Sequence, residues 1–147
     1  TSTNQNLGNS LLALFSSNAH SHENNNDHSE GSNQKAMSVT LEGLEFESGS
    51  ATLNMSKSKA SLDVLLSTLK NSQVGIILEG HTDNTGNESN NVTLSDARAK
   101  AVKTYLTTNG IAAERIDAKG YGSAMPTESN DTEEGKARNR RTEVKLK

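Results

Sequence analysis

The sequence predicts a two-layer α/β domain, and three observations carry that prediction. Val74, Ile76, Ile77 and Leu78 form a compact apolar run rich in β-branched residues, which reads as a buried strand. Upstream, Leu62, Leu65, Leu66 and Leu69 recur at helical spacing, and downstream Leu94, Ala97, Ala101, Val102, Tyr105 and Leu106 do the same. At the end of the chain Val144 and Leu146 alternate with Glu143 and Lys145, the pattern of a half-buried strand.

Taken in order, Val39 to Phe46 reads as a first strand whose apolar phase slips at Gly43, as a bulge there would require. Glu47 to Ala51 is a loop at its end. Ser56 is positioned to cap the leucine helix, with Met55 and Lys59 leading in, and Asn71-Ser72 closes it. The Val74–Leu78 strand follows, and a strand–helix–strand crossover of this length implies parallel strands and a right-handed connection. The second helix stops at Asn109-Gly110. Ile111, Ile116 and Gly120-Tyr121-Gly122 suggest a third strand running into a glycine turn. Asp131-Thr132-Glu133-Glu134 resembles a capping box opening a short helix.

The first 38 residues are different in kind. They are rich in Asn, Ser and His, too poor in apolar surface to offset the entropy of ordering, and are expected to be a disordered linker. Leu7, Leu11, Leu12, Leu14 and Phe15 allow a short helix over 7–15 within it. His20, His22 and His28, with Glu23 and Asp27, have the residue types of a metal site, but not the rigid ligand spacing, and read as a solvated tract. The expected division is therefore 1–38 and 39–147.

Composition narrows the function. Hydrophobic residues make up 31% of the 147 residues, and the deficit is concentrated at the N-terminus. The net charge of −3 gives no basis for wholesale nucleic-acid binding, and Arg138, Arg140 and Arg141 lack flanking aromatics. There is no cysteine, and the longest apolar run near the N-terminus, Leu11 to Phe15, is far below the roughly 20 residues of a membrane span. No direct membrane insertion of this segment is expected. The chain begins at Thr1 rather than Met, which reads as a mature or excised portion of something larger.

The chemistry concentrates after the central strand. Asp83 follows the carboxyl end of that strand, where open α/β sheets hold ligands. Arg98 lies fifteen positions on, expected in the first turns of the next helix. A carboxylate and a guanidinium facing one hollow would receive a zwitterion. Thr85 and Gly86 offer backbone N–H groups, Asn91 an amide, and the helix start a positive dipole end. His81 reads as a hydrogen-bonded residue holding this loop from behind, rather than as a base or metal ligand. Ser95 lies inside a helix, and a Ser–His–Asp arrangement is not expected.

Gly80-His81-Thr82-Asp83-Asn84-Thr85-Gly86, then Asn91, Leu94-Ser95, Arg98-Ala99, Val102, Tyr105-Leu106 and Gly110-Ile111, resembles the OmpA-like domain. Arg115-Ile116, Gly120-Tyr121-Gly122, Pro126, Asn130, Thr132, Gly135, Ala137 and Asn139-Arg140-Arg141 continue the pattern, and Phe46 with Gly49 to Leu53 opens it. The resemblance covers about 39–147. It implies a β-α-β-α-β-β chain with a mixed four-stranded sheet in the order 1-4-2-3, strand 4 antiparallel, and helices on one face. It also implies peptidoglycan as partner, no cofactor, no catalysis and a periplasmic place in an outer-membrane-anchored protein, with a homodimer left open. Asp83 would accept the side-chain amine of diaminopimelate in the stem peptide, and Arg98 would pair with the adjacent carboxylate. Asn91 would support, Arg140 would lie near the stem-peptide carboxylates, and Gly49 would line the groove through its backbone. Glu47, Gly49 and Lys136 depart from the family's commonest residues. The alternatives are the wall-binding end of a flagellar stator or secretion complex, and an enzyme acting on peptidoglycan through His81 and Asp83.

Overall fold

A computed structural model describes residues 7–15, 38–47 and 49–147. The histidine tract from His20 to His28 lies outside the described residues. In chain order the elements are α1 (7–15), β1 (Ser38–Thr40), α2 (Met55–Lys70), β2 (Ile76–His81), α3 (Glu88–Thr108), β3 (Ile116–Gly120), α4 (Glu133–Asn139) and β4 (Arg141–Leu146). A single 3-10 turn, Ala113–Arg115, leads into β3.

The sheet has the order β1-β4-β2-β3. β2 and β3 pair in parallel, Ile76 opposite Ile116, while β4 runs antiparallel to both β1 and β2. β1 and β2 therefore point the same way, as the crossover through α2 demands, but β4 is inserted between them. The core is what the leucine spacing implies. Leu62, Leu65 and Leu69 of α2 and Val102 and Leu106 of α3 are buried against Ile76, Leu78, Ile116 and Val144. Each such side chain contributes about 1.5–3 kcal/mol by leaving water. Leu7, Leu11, Leu14 and Phe15 of α1 belong to the same core, and a Cβ added at Gly8 would stand 3.5 Å from Val64 on α2.

Two glycines set the geometry near the site. Gly80 and Gly120 are partners on β2 and β3. A Cβ at Gly80 would lie 2.3 Å from the carbonyl oxygen of Ser95, and one at Gly120 would lie 2.1 Å from the amide nitrogen of Asp96. The bare backbone of both strands is what allows α3 to press onto the sheet at this level. Arg98 is one turn further along α3.

Several local expectations are corrected. The first strand is only three residues long. The chain leaves it through a turn at Glu42-Gly43, with φ +88° at Gly43, and Phe46 then bridges Leu53 rather than extending the sheet. The apolar phase slips because of this turn, not a bulge. The backbone there is held by α2: Ser61 Oγ donates to Glu42 O, Ser58 Oγ donates to Glu45 O at 2.8 Å, and Glu45 N donates to Ser58 Oγ at 2.7 Å. Asn54, not Ser56, caps α2, accepting from Lys57 N. Thr132 caps α4, but the residue three positions on is Gly135, so no reciprocal capping box forms. The buried stripe of α3 runs through Asn91, Ser95, Ala99, Val102 and Leu106; Val102 and Leu106 are as read from the sequence, whereas Leu94, Ala97, Ala101 and Tyr105 are half-buried.

Candidate functional site

Register explains the site. His81 at the end of β2 stands opposite Arg141 at the start of β4. One step beyond, the antiparallel geometry brings Arg140 to the loop that follows β2, where Asp83 lies. Arg140 is the C-cap residue of α4, with φ −85° and ψ 87°, so its side chain leaves from the α4–β4 junction. Asn139 fixes that junction. Its side chain is fully buried, its Oδ1 accepts from Thr127 N at 2.7 Å and Glu128 N at 3.0 Å, and its Nδ2 donates to Glu128 O and Asn130 Oδ1, both at 2.9 Å.

Asp83 is recessed, with its side chain 10% exposed. Its Oδ1 accepts from the backbone of Thr85 at 2.9 Å, and its Oδ2 accepts from Arg140 Nη1 at 2.5 Å. Burial pushes its carboxyl pKa up, but the bonds from Thr85 and Arg140 and the charge of Arg140 outweigh this and hold it below the ordinary value. Asp83 is therefore an anion in the folded protein at neutral pH.

Arg98 is held differently. Its Nε donates to Ser50 O at 2.8 Å, and its guanidinium lies 4.9 Å from the centre of the Phe46 ring. Its terminal nitrogens make no hydrogen bond among the described residues. Burial, followed by the nearby charge of Arg140, lowers its pKa. Arg98 lies about three turns into α3, not in its first turns.

A third side chain enters between the two groups expected to face one hollow. Asp83 bonds to Arg140, Arg98 bonds to the loop at Ser50, and Arg140 stands between them. Two adjoining hollows open here. One of about 420 Å³ is lined by Gly80, Ser95, Arg98, Arg140, Arg141 and Thr142 among others, and one of about 610 Å³ by Leu44, Phe46, Gly49, Arg98 and Arg140. Asp83 lines neither directly and meets them at Arg140.

The other expected groups take supporting places. The Thr85 N–H is already spent on Asp83. Asn91 is buried and donates from Nδ2 to Thr85 O at 3.1 Å, bracing the loop from behind. Gly86 turns the chain at φ +84° into Asn87, whose Oδ1 caps α3 by accepting from Ser89 N and Asn90 N. Those N–H groups are occupied, so the start of α3 is not a free anion site. Gly49, at φ +65°, lies on the rim of the outer hollow beside Arg98 and Arg140.

His81 is corrected as well. Both ring nitrogens are buried and have no hydrogen-bond partner among the described residues, and the ring stacks on Tyr121 at 5.5 Å and 14°. Burial is the largest influence on its pKa and lowers it, keeping the ring neutral. Among the described residues Glu79, His81 and Glu143 lie close enough to face one ion, with ligand atoms within 4.8 Å of one another. The sequence spacing hides this trio because β2 and β4 bring it together. Both carboxylates are already matched by cations: Arg141 Nε lies 2.5 Å from Glu143 Oε2, and Lys145 Nζ lies 3.2 Å from Glu79 Oε1. The cluster is electrically balanced without a metal. Nor does Ser95 form a nucleophile, since its Oγ donates to Val92 O and accepts from Gly122 N, each at 3.0 Å.

Residues 45–140 match the model of the OmpA family, well over half of the chain. The chain belongs to the OmpA family. The probable lipoprotein YiaD of Escherichia coli is 40% identical over 101 residues, covering 69% of this chain and 46% of that protein. The peptidoglycan-associated lipoprotein of Pseudomonas aeruginosa is 38% identical over 100 residues, covering 68% and 59%. Among solved structures, the cell wall anchor of the T6SS from Pseudomonas aeruginosa superposes with a TM-score of 0.64 at 30% identity, covering 73% of this chain and 76% of that one. The chain spans about half the length of the two lipoproteins it matches. The observed strand order and the helix–sheet layering are those expected for an OmpA-like domain.

Phe46, Ser50 and Asn139 escaped assignment in the sequence. Phe46 carried a signal, as one of only two phenylalanines in the chain. Ser50 acts through its carbonyl oxygen, which no side-chain pattern can advertise.

Proposed function

We propose that this chain is a non-catalytic module that binds peptidoglycan through the diaminopimelate of its stem peptide and anchors an envelope protein to the cell wall. One observation carries the reading: a recessed carboxylate, Asp83, is held by Arg140, and Arg140 and Arg98 together line one polar hollow. An amino-acid centre carries an ammonium and a carboxylate on one carbon. Charge-assisted bonds to both ends are stronger than neutral ones and select for their geometry. The planar fork of arginine suits the carboxylate end. Family membership supports the wall as partner, as do relatives named for association with peptidoglycan and for cell wall anchoring. The reading implies a periplasmic location. No helix among the described residues is long and apolar enough to cross a membrane.

Likeness to a secretion-system wall anchor favours one variant of this reading, in which the parent protein is part of a larger envelope machine. The enzyme alternative gains nothing from the geometry, because His81 and Asp83 share no hydrogen bond and Asp83 bonds to Arg140. Incubation with purified sacculi tests the reading: binding without release of soluble fragments is expected. Release of muropeptides, or no binding, contradicts it.

A further inference from the structure

Asp83 and its two arginines are not equivalent in how they are held. Arg98 is fixed on both sides, by Ser50 O and by the face of Phe46. Arg140 is 44% exposed, and its side chain makes a single hydrogen bond among the described residues, the one to Asp83 Oδ2. It therefore sits where a ligand ammonium would sit on Asp83. Asp83 Oδ1 is already engaged by Thr85 N.

We propose that Arg140 exchanges partners on binding: in the free protein it holds Asp83, and in the complex it yields Asp83 to the ligand ammonium and joins Arg98 on the ligand carboxylate. This rests on the reading of the site as a receptor for a zwitterion. The charges follow directly. The free site holds one anion and two cations. A zwitterion adds an ammonium for Asp83 and an anion for the released Arg140, so no charge is left unmatched that was matched before. An amine without a carboxylate evicts Arg140 and offers nothing in return, next to a second guanidinium. A carboxylate without an amine must compete with Asp83 for Arg140. Arg140 thus acts as a selectivity residue that rejects ligands carrying only one of the two charges.

Three probes on one carbon skeleton test this. Diaminopimelate carries both charges, cadaverine is the same chain without the carboxylates, and pimelate is the same chain without the amines. Binding to the full chain is read by NMR titration. The parent is expected to bind diaminopimelate in preference to the other two. In Arg140→Gln the affinity for diaminopimelate falls, and that for cadaverine rises, each by about fivefold, the scale of one partly exposed ion pair. Arg140→Lys, which keeps the charge, should lie between the parent and Arg140→Gln for both ligands. The Asp83 carboxyl, followed by its own ¹³C titration, should move up in pKa in Arg140→Gln, which reports the free-state contact without any ligand. A parent that does not bind diaminopimelate overturns the reading of the site. A parent that binds it, combined with an Arg140→Gln variant that gains nothing for cadaverine, overturns the exchange alone.

Discussion

The Arg140–Asp83 and Arg141–Glu143 pairs use the same two chemical groups, and each brings a guanidinium nitrogen to 2.5 Å from a carboxylate oxygen. The arginines are consecutive in the chain, yet the pairs lie in different surroundings. Arg141 and Glu143 are 8% and 12% exposed and belong to a closed network with Glu79, His81 and Lys145 across β2 and β4. Arg140 stands at the mouth of a hollow beside a second guanidinium that no acid among the described residues occupies. One step along a chain entering a strand turns a side chain to the opposite side. Arg141 is thereby committed to holding two strands together, whereas Arg140 is available to exchange partners. An ion pair reports on function only when its surroundings leave room for a third party.

The widest expected contrast lies in stability. Glu143→Ala leaves the Arg141 guanidinium buried without its partner, and should lower unfolding free energy by about 3–5 kcal/mol in urea melts. Arg140→Ala, which removes a partly exposed cation, should cost under about 1 kcal/mol in the same assay. Equal losses would erase the distinction between the two pairs.

Binding should invert that order. Asp83→Ala and Arg98→Ala should each weaken sacculus pull-down at least tenfold, on the scale of about 1.5–3 kcal/mol for a hydrogen bond to a charged group, while far-UV circular dichroism stays that of the parent. Variants that bind like the parent would show that the hollow is not the receptor.

Acid should act on the closed network first. The folded pKa of His81 lies below its ordinary 6.5, with burial as the main cause. Between those two pKa values the unfolded chain holds more protons than the folded one, so stability is complete above about 6.5 and falls as the pH drops below it. Asp83 and Glu143, also lowered in the fold, add their losses only below the ordinary carboxylate range of about 4. Urea midpoints at pH 7 and pH 5 should differ in the parent and converge in His81→Phe. A parent midpoint flat from pH 7 to pH 5 would contradict this assignment.

Salt gives the smallest effect. Raising ionic strength from about 0.1 M to 1 M shortens the screening length from about 10 Å to 3 Å. Sacculus binding should weaken a few-fold, while the urea midpoint of the buried Arg141–Glu143 network responds less.

Much of this architecture was legible because its signals are local. The leucines of α2, the β-branched run of β2, the Val144–Leu146 alternation and the helix stops at Asn71 and Asn109 depend on neighbours within a turn or a strand. Errors arose where the deciding contact is remote. The apolar pattern overextends β1 because Leu41, Leu44 and Phe46 are apolar whether or not they pair, and serines of α2 hold that backbone instead. The partner of Asp83 lies 57 positions away and depends on the register of β4 against β2. Residue types identified the charges of the site, but only the sheet decided which arginine meets which acid. The surroundings of His81 are hidden for the same reason, since its neighbours Glu143 and Arg141 arrive on another strand.

The most direct test is an NMR titration of the protein with a diaminopimelate-containing stem peptide. The account predicts saturable shifts at the Asp83 carboxyl and at the Arg98 and Arg140 guanidiniums, with Glu143 and His81 unmoved. A peptide that shifts none of the first three, or that shifts the Glu143–His81 network instead, would contradict it.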